Sequence, residues 1–600
     1  MYLYKAYNSC PTAHSLHFTM LFKTKLSSLN IPMKIYGFYV FSLCCFLIFN
    51  GVRVEAFRNH TRLLNVSQPY RTAYHFQPTK NWMNDPNGPM YYKGVYHFFY
   101  QHNPYGPLWG NMSWGHAISH DLINWVHLDI ALVPNEHYDI NGCFSGSTTI
   151  LPNGEPAILY TGVDAKLHQV QNLAFPKNIS DPLLKEWVKW PLNPILSPPD
   201  EIDPSFYRDP STGWMGADGE WRVVIGTRID HQGAAILYKS KDFRSWNRSL
   251  SPFPLSNITT FWECPELYPV ICNGKSGLDT SVISVQGKDI KHVLKASFND
   301  HDYYILGKYD PESDGYDVDA NFMKSKEWLR YDYGRFYASK SFYDGEKKRR
   351  ILWSWVCESD TAPDAIEKGW SGLQTIPRSI WLSKNEDQLV QWPVKELEKL
   401  RTRKVHFKNK RLKGRSMIEI SGITASQVTS KADVEITFRV SNLKHAEVLS
   451  AEVVDPQILC TQKNATTDGK FGPFGLLVLA SKDLTEHTAV FFRVFRIANS
   501  FRVLMCADPS RSSLKPFIDK PIYGAFLALD PRYAKISLRT LIDHSIVESF
   551  GGEGLACITS RVYPVLAVGE QAHLYAFNNG TQSLSISSLS AWSMKKAQIV

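Results

Sequence analysis

Ser119-His120-Asp121-Leu122-Ile123-Asn124-Trp125 is echoed by Ser240-Lys241-Asp242-Phe243-Arg244-Ser245-Trp246, and a looser copy, Ser180-Asp181-Pro182-Leu183-Leu184-Lys185-Glu186-Trp187, lies between them. Trp125, Trp187 and Trp246 stand 62 and 59 residues apart. A period of roughly sixty residues filled with short strands is that of propeller blades, and about 320 residues of such material accommodate five.

Around these copies the chain reads as strand. Residues 91–100, 157–160, 222–225, 303–306 and 351–355 are apolar-aromatic runs, mostly bounded by Gly, Pro, Asn or Asp. Helical periodicity is confined to residues 394–400, one short candidate near the end of the first unit. Beyond residue 410 the texture changes. Val434, Ile436, Phe438 and Val440 alternate with polar residues, as do positions in 491–495 and 536–539, a period-two pattern that predicts a β-sandwich. The expected organisation is all-β: an extension and signal peptide over 1–56, a five-bladed β-propeller over 57–405 and a β-sandwich over 406–600.

Composition narrows the function. Aromatics make up 13% of the chain, with 17 Trp and 29 Tyr, which suits β structure and also the C–H faces of sugar rings. The formal charge is +9. Residues 1–56 hold five Lys/Arg and one Glu, so the remainder carries about +5 by the same count. This mild excess, with no dense basic block among the aromatics, speaks against nucleic-acid binding and suits loose adherence to an acidic matrix.

Lys34 precedes an apolar run from Ile35 to Phe49, followed by Val54-Glu55-Ala56, the layout of a secretory signal. The signal begins naturally at Met33, so residues 1–32 read as an upstream extension. The run is shorter than a membrane span, and no membrane association is expected once it is cleaved. Secretion agrees with eight Asn-x-Ser/Thr acceptors, at Asn59, Asn65, Asn111, Asn178, Asn247, Asn257, Asn464 and Asn579. The cysteines are sparse and show no metal-ligand spacing. Cys460 and Cys506, both in the strand-rich C-terminal part, form the expected disulfide; Cys143, Cys264, Cys272, Cys357 and Cys557 read as buried thiols.

The chemistry rests on three acids. Asp85 lies in Asn81-Trp82-Met83-Asn84-Asp85-Pro86-Asn87-Gly88-Pro89, where Pro and Gly call for a tight bend at a strand end. Asp209 stands in Tyr207-Arg208-Asp209-Pro210 and Glu263 in Trp262-Glu263-Cys264-Pro265. Each is at or near a Pro that interrupts a ladder, and blades converge on a central funnel, so strand-end acids from different blades can meet there. Glycoside hydrolysis needs one ionised and one protonated carboxyl. Asp85 among amide donors is expected to stay ionised, and Glu263 between Trp262 and Cys264 to be kept protonated by an apolar setting.

Together the motifs at 82–88, 208–210 and 263–265 resemble the signatures of glycoside hydrolase family 32, the plant acid invertases and fructan exohydrolases. The resemblance covers nearly everything after residue 65, including Gly369-Trp370-Ser371-Gly372-Leu373-Gln374 and the stretch from Ile542 to Phe550. It implies a five-bladed propeller followed by a β-sandwich, no cofactor and no metal, and a retaining double displacement on a terminal β-fructofuranosyl unit. Asp85 would be the nucleophile, Glu263 the acid/base and Asp209 the transition-state stabiliser. Asn84, Gln101, Trp109, Ser145 and Arg208 match substrate-binding positions. Cys264 after the glutamate is similar to the cell-wall type.

Two departures bear on what the fructose is attached to. Sucrose-cleaving cell-wall relatives carry an Asp, with a Lys three residues on, before a His-Asp-Tyr-Tyr stretch, where they hold glucose. Here Phe298-Asn299-Asp300 runs directly into His301-Asp302-Tyr303-Tyr304. Asn299 matches the Asp, although a shift by one residue brings Asp300 into its place, and the Lys is absent. Phe144 stands where relatives have Trp, keeping a stacking face and losing the indole N–H. The expectation is a secreted, monomeric fructan exohydrolase of the cell wall, with the vacuole as the alternative location, acting on fructan in preference to sucrose. A cell-wall invertase and a catalytically silent carbohydrate-binding member are the alternatives.

Overall fold

A computed structural model describes residues 68–600 apart from 250–252, 254–258, 286, 321–327, 423–429, 451, 454 and 534. The signal, the extension, Asn59, Asn65 and Asn257 lie outside the described residues.

Among the described residues, five separate sheets, antiparallel but for one short parallel pair, occupy residues 81–393. The sequence repeat is the turn between the third and fourth strands of the first three. Asp121 Oδ1 accepts the N–H groups of Ile123 and Asn124, and Asp242 Oδ1 those of Arg244 and Ser245. Leu122, Leu184 and Phe243 occupy the same place in each copy, all with positive φ. An Asp that caps its own turn explains why Ser-x-Asp recurs there.

The first strands of the blades pack against one another round the axis, Asn81–Tyr92 touching both Cys143–Ile150 and Tyr337–Asp344. The ring is closed by the 369–374 motif. Trp370–Ser371 pairs in parallel with Asn81 and Trp82 of blade one, while Leu373–Gln374 pairs with Arg349–Val356 of blade five. Gly372 must be glycine: its φ is 83°, and a Cβ would lie 2.0 Å from the Met83 carbonyl oxygen.

Two further sheets, of six and seven strands, make the sandwich from residues 401–594. Val434, Ile436 and Phe438 face Leu476, Phe492 and Val494 in its core. The strand Arg401–Leu412 pairs with Leu584–Met594 and belongs to this unit. Residues 395–400 form a 3-10 helix, and two short α-helices, Ala362–Lys368 and Pro456–Gln462, were not foreseen. Both are announced locally by an N-cap and a proline, Thr361 with Pro363 and Asp455 with Pro456, but are too short for a period to register. Cys460 and Cys506 are disulfide-bonded, 46 residues apart. Cys143, Cys264, Cys272 and Cys557 are buried thiols. Cys357 departs from the expectation: it is disulfide-bonded rather than a free thiol.

Propeller and sandwich are locked by the 542–550 stretch. Asp543 accepts the backbone N–H groups of Ala73, Tyr74 and His75 and the His75 Nδ1 at 2.8 Å. Glu548 meets His75 Nε2 at 3.0 Å and Arg378 Nη2 at 2.6 Å, all of it fully buried. Phe76, Phe98 and Trp353 pack with Leu541, Phe550 and Met594 beside it, so the paired charges of the junction sit against an apolar cluster.

Candidate active site

The inner strands carry register breaks toward one end of the funnel, and the chemistry-bearing residues stand in them. The breaks fall between Met83 and Pro86, Cys143 and Gly146, Glu263 and Glu266, and Tyr337 and Lys340. In blade three the inner strand is split into Tyr207–Arg208 and Trp214–Met215, with Asp209 at the break in left-handed conformation, φ 66°. A bulge re-aims a side chain and releases the ladder position that Pro cannot fill. Residues 81–89 therefore form part of one bulged strand, and the tight bend expected from Asp-Pro-Asn-Gly is replaced by two such irregularities.

The three acids come together. Asp85 is buried; its Oδ1 accepts Asn84 Nδ2 at 3.0 Å and its Oδ2 accepts Ser145 Oγ at 2.6 Å. Asp209 Oδ2 accepts the Cys264 N–H at 2.9 Å, and the Cys264 Sγ lies 3.5 Å from Asp209 Oδ2 and 3.9 Å from Asp85 Oδ2. Asp209 Oδ1 is buried and meets no donor among the described residues. Glu263 binds Arg208 through Oε1 and the Tyr337 hydroxyl through Oε2. The guanidinium of Arg208 is stacked on Phe261 at 4.2 Å and also donates to Gln169 Oε1 and the Ser205 carbonyl.

The electrostatics differ from the expectation. Burial, then the charge of Asp209 and to a lesser degree that of Glu263, push Asp85 up to about 7, against the pull of the Ser145 and Asn84 hydrogen bonds. Nor is Glu263 in an apolar setting. Trp262 turns away to donate to Thr259, the Cys264 thiol points at the aspartates, and the carboxylate itself faces a guanidinium and a phenol. Neighbours in sequence alternate sides along a strand, so Trp262 and Cys264 describe the opposite face from Glu263.

Around this cluster, Asn84 Oδ1 accepts Trp82 Nε1 at 2.7 Å and its carbonyl accepts Gln374 Nε2 at 2.7 Å. Gln101 is one step back, donating to the Cys143 carbonyl at 3.0 Å. Trp109 and Phe144 meet edge to face, ring centres 6.2 Å apart, and with Trp82, Met112 and Val163 build an apolar wall. Asn299 is not drawn into the network. It is exposed in a two-residue turn with Asp300, φ 48° and 63°, between Ile290–Phe298 and His301–Asp310. Two positive φ values mark a type I′ hairpin turn, where Asn and Asp are at home. Ser297, two residues before it, pairs with Glu263 and with Asp302, so the turn sits at the rim near Glu263.

Tyr337, Thr161, Gln169 and the buried pair Lys295–Asp302 were missed. Asp302 accepts the Ala338 and Ser339 N–H groups, shaping the bulge that carries Tyr337, and Lys295 bridges it to the Cys264 carbonyl. The polar interior of an otherwise apolar strand at Lys295 was the available signal.

Residues 75–393 match the glycosyl hydrolases family 32 N-terminal domain, and residues 396–593 the glycosyl hydrolases family 32 C terminal. The chain belongs to glycoside hydrolase family 32. Within the family it is 53% identical to an insoluble β-fructofuranosidase isoenzyme of Arabidopsis thaliana, over 90% of this chain and 93% of that one. It is 54% identical to the fructan 6-exohydrolase of Beta vulgaris, over 90% and 89%. The crystal structure of fructan 1-exohydrolase IIa from Cichorium intybus superposes with a TM-score of 0.85 at 53% identity, covering 89% of this chain and 99% of that one. This family 32 protein is thus a glycoside hydrolase of the β-fructofuranosidase and fructan exohydrolase type.

Proposed function

We propose that the protein is a secreted, monomeric fructan exohydrolase of the cell wall that releases terminal non-reducing β-fructofuranosyl units with little action on sucrose. The observation that carries this reading is the Asn299–Asp300 turn. A glucose-holding Asp followed by a Lys three residues on needs a longer loop, and a two-residue hairpin has no room for it. At 299 an amide replaces a carboxylate, which weakens hydrogen bonds from sugar hydroxyls. Phe144 in the wall supplies a face without a donor, suited to a leaving group held by contact.

Membership of family 32 supports a retaining route. Asp85 attacks the anomeric carbon; the electron pair of the breaking bond goes to the leaving oxygen, which takes the proton from Glu263. Water, deprotonated by Glu263, then releases fructose from the Asp85 ester. Asp209, with one buried oxygen open to a donor, suits sugar hydroxyls. The reaction requires Asp85 as the attacking carboxylate and Glu263 as the proton donor. Arg208 and Tyr337 stabilise Glu263 whenever it is the carboxylate, as it is after protonating the leaving group.

Relatives named for the cell wall and for insolubility, including one of Pisum sativum, support the location. Asn111, Asn178 and Asn247 are exposed and suit glycosylation. Asp300 favours the invertase as a second reading, because it shares the turn. Replacing Asp85 or Glu263 with Ala should cut fructose release from an inulin-type oligomer by about 10³-fold or more. Wild-type release no higher than that of the variants overturns the enzymatic role.

A further inference from the structure

We infer that a second cavity on blade two binds the leaving-group side of a fructan chain, as a neutral-saccharide site separate from the fructose pocket. This rests on the fructan reading. The cavity measures about 570 Å³, within the range of ligand sites, and is lined by the 164–168 turn, Tyr138 and a proline-rich segment that includes Pro198 and Pro199.

Its place follows from register. Gly162 pairs with Cys143, at the same strand end as the bulge holding Ser145. Val163 packs on Phe144 in the apolar wall, and the next residue, Asp164, lines the cavity. On the other flank, Gln169 accepts from Arg208 and the Tyr207 N–H, while its neighbours His168 and Val170 line the cavity. Strand alternation sends Gln169 one way and Val170 the other. Fructose pocket and cavity therefore share a wall, with Phe144 and Val163 along one stretch and Gln169 along another.

The lining suits sugar. Tyr138 and the prolines present ring and C–H faces, and Asp164, Lys166 and His168 supply acceptors and donors at the rim. Lys166 is balanced by Asp164 and Asp200, so the cavity offers no net positive charge for a phosphate or carboxylate ligand. Asp164 Oδ1 accepts the N–H groups of Lys166 and His168, both at 2.8 Å, which fixes the turn, and the prolines stiffen the opposite side. A preformed site loses little entropy on binding.

The test compares substrates of different length. With wild-type protein, kcat/KM should rise about tenfold from an inulin-type trisaccharide to a decamer. Ala165→Trp, which fills the cavity, should abolish that rise and change trisaccharide hydrolysis by less than about twofold. The double variant Lys166→Ala/His168→Ala makes the same comparison without added bulk. Calorimetry on Asp85→Ala protein separates the cavity from the reaction: the decamer should bind about tenfold tighter than the trisaccharide, and Ala165→Trp should remove the difference. Equal affinity for both lengths, or equal loss on both substrates, overturns the site. Trisaccharide hydrolysis by the wild type would meanwhile leave the fructan reading standing, and its absence would count against that reading alone.

Discussion

Ser145 Oγ donates to Asp85 Oδ2 at 2.6 Å, joining two register breaks on neighbouring inner strands. The bond favours the ionised carboxylate and opposes burial and the charge of Asp209, which together hold Asp85 at about 7. Ser145→Ala removes a bond to a charged group worth about 1.5–3 kcal/mol, so the Asp85 pKa should rise by roughly 1–2 units. The acid limb of kcat/KM against pH should move up by the same amount, with activity at pH near 5 falling about tenfold or more. An unmoved acid limb would show that Asp85 does not set it.

Tyr337 and Arg208 share the Glu263 carboxylate. Tyr337→Phe keeps the ring and deletes the donor, which should lower kcat/KM by roughly 10–100-fold while thermal stability stays close to wild type. A comparable loss in a substitution far from Glu263, or a large drop in melting temperature, would assign Tyr337 a packing role instead.

Much of this was legible in the chain. The Ser-x-Asp turns carry their own hydrogen bonds within seven residues, so the blade period shows in sequence, as does the two-faced alternation of Val434, Ile436 and Phe438. The acids were found because each stands by a Pro that breaks a ladder. What stayed hidden is long-range. Tyr337 reaches Glu263 from another blade, 74 residues away, and nothing around it announces the contact. The surroundings of Glu263 were misjudged because adjacent residues in a strand face opposite ways. The Tyr91–Tyr100 run, continuous in composition, is two strands parted by Lys93-Gly94 in left-handed conformation.

The His75 lock predicts how stability depends on pH. Burial opposes charge on His75, but Asp543 and Glu548 outweigh it and raise its pKa above 6.5. Its contribution is complete below about 6.5 and is lost as pH rises through the higher folded value. Burial also opposes ionisation of the two acids; His75 and backbone N–H groups hold Asp543 below 3.8, and Arg378 with His75 holds Glu548 below 4.5. Their contribution is complete above about 4.5 and is lost as pH falls through the lower folded values. Melting temperature should therefore peak between about pH 4.5 and 6.5. Glu548→Gln should cost about 3–5 kcal/mol and His75→Gln should flatten the alkaline side. A peak at neutral pH or above, unchanged in His75→Gln, would contradict the assignment.

The short turn at 299–300 also makes a prediction of its own. Asn299→Asp combined with an insertion that places a Lys three residues beyond should raise sucrose hydrolysis about tenfold, by restoring a charged partner for glucose hydroxyls. No gain, in a variant that still releases fructose from fructan, would show that the turn does not govern the choice of leaving group.

The central claim is decided by fructose release from sucrose, an inulin-type oligomer and a levan-type oligomer, each at the same concentration with the secreted protein. The account predicts release from at least one fructan about tenfold or more faster than from sucrose. Rapid sucrose cleavage with little release from either fructan would contradict it and make the protein an invertase.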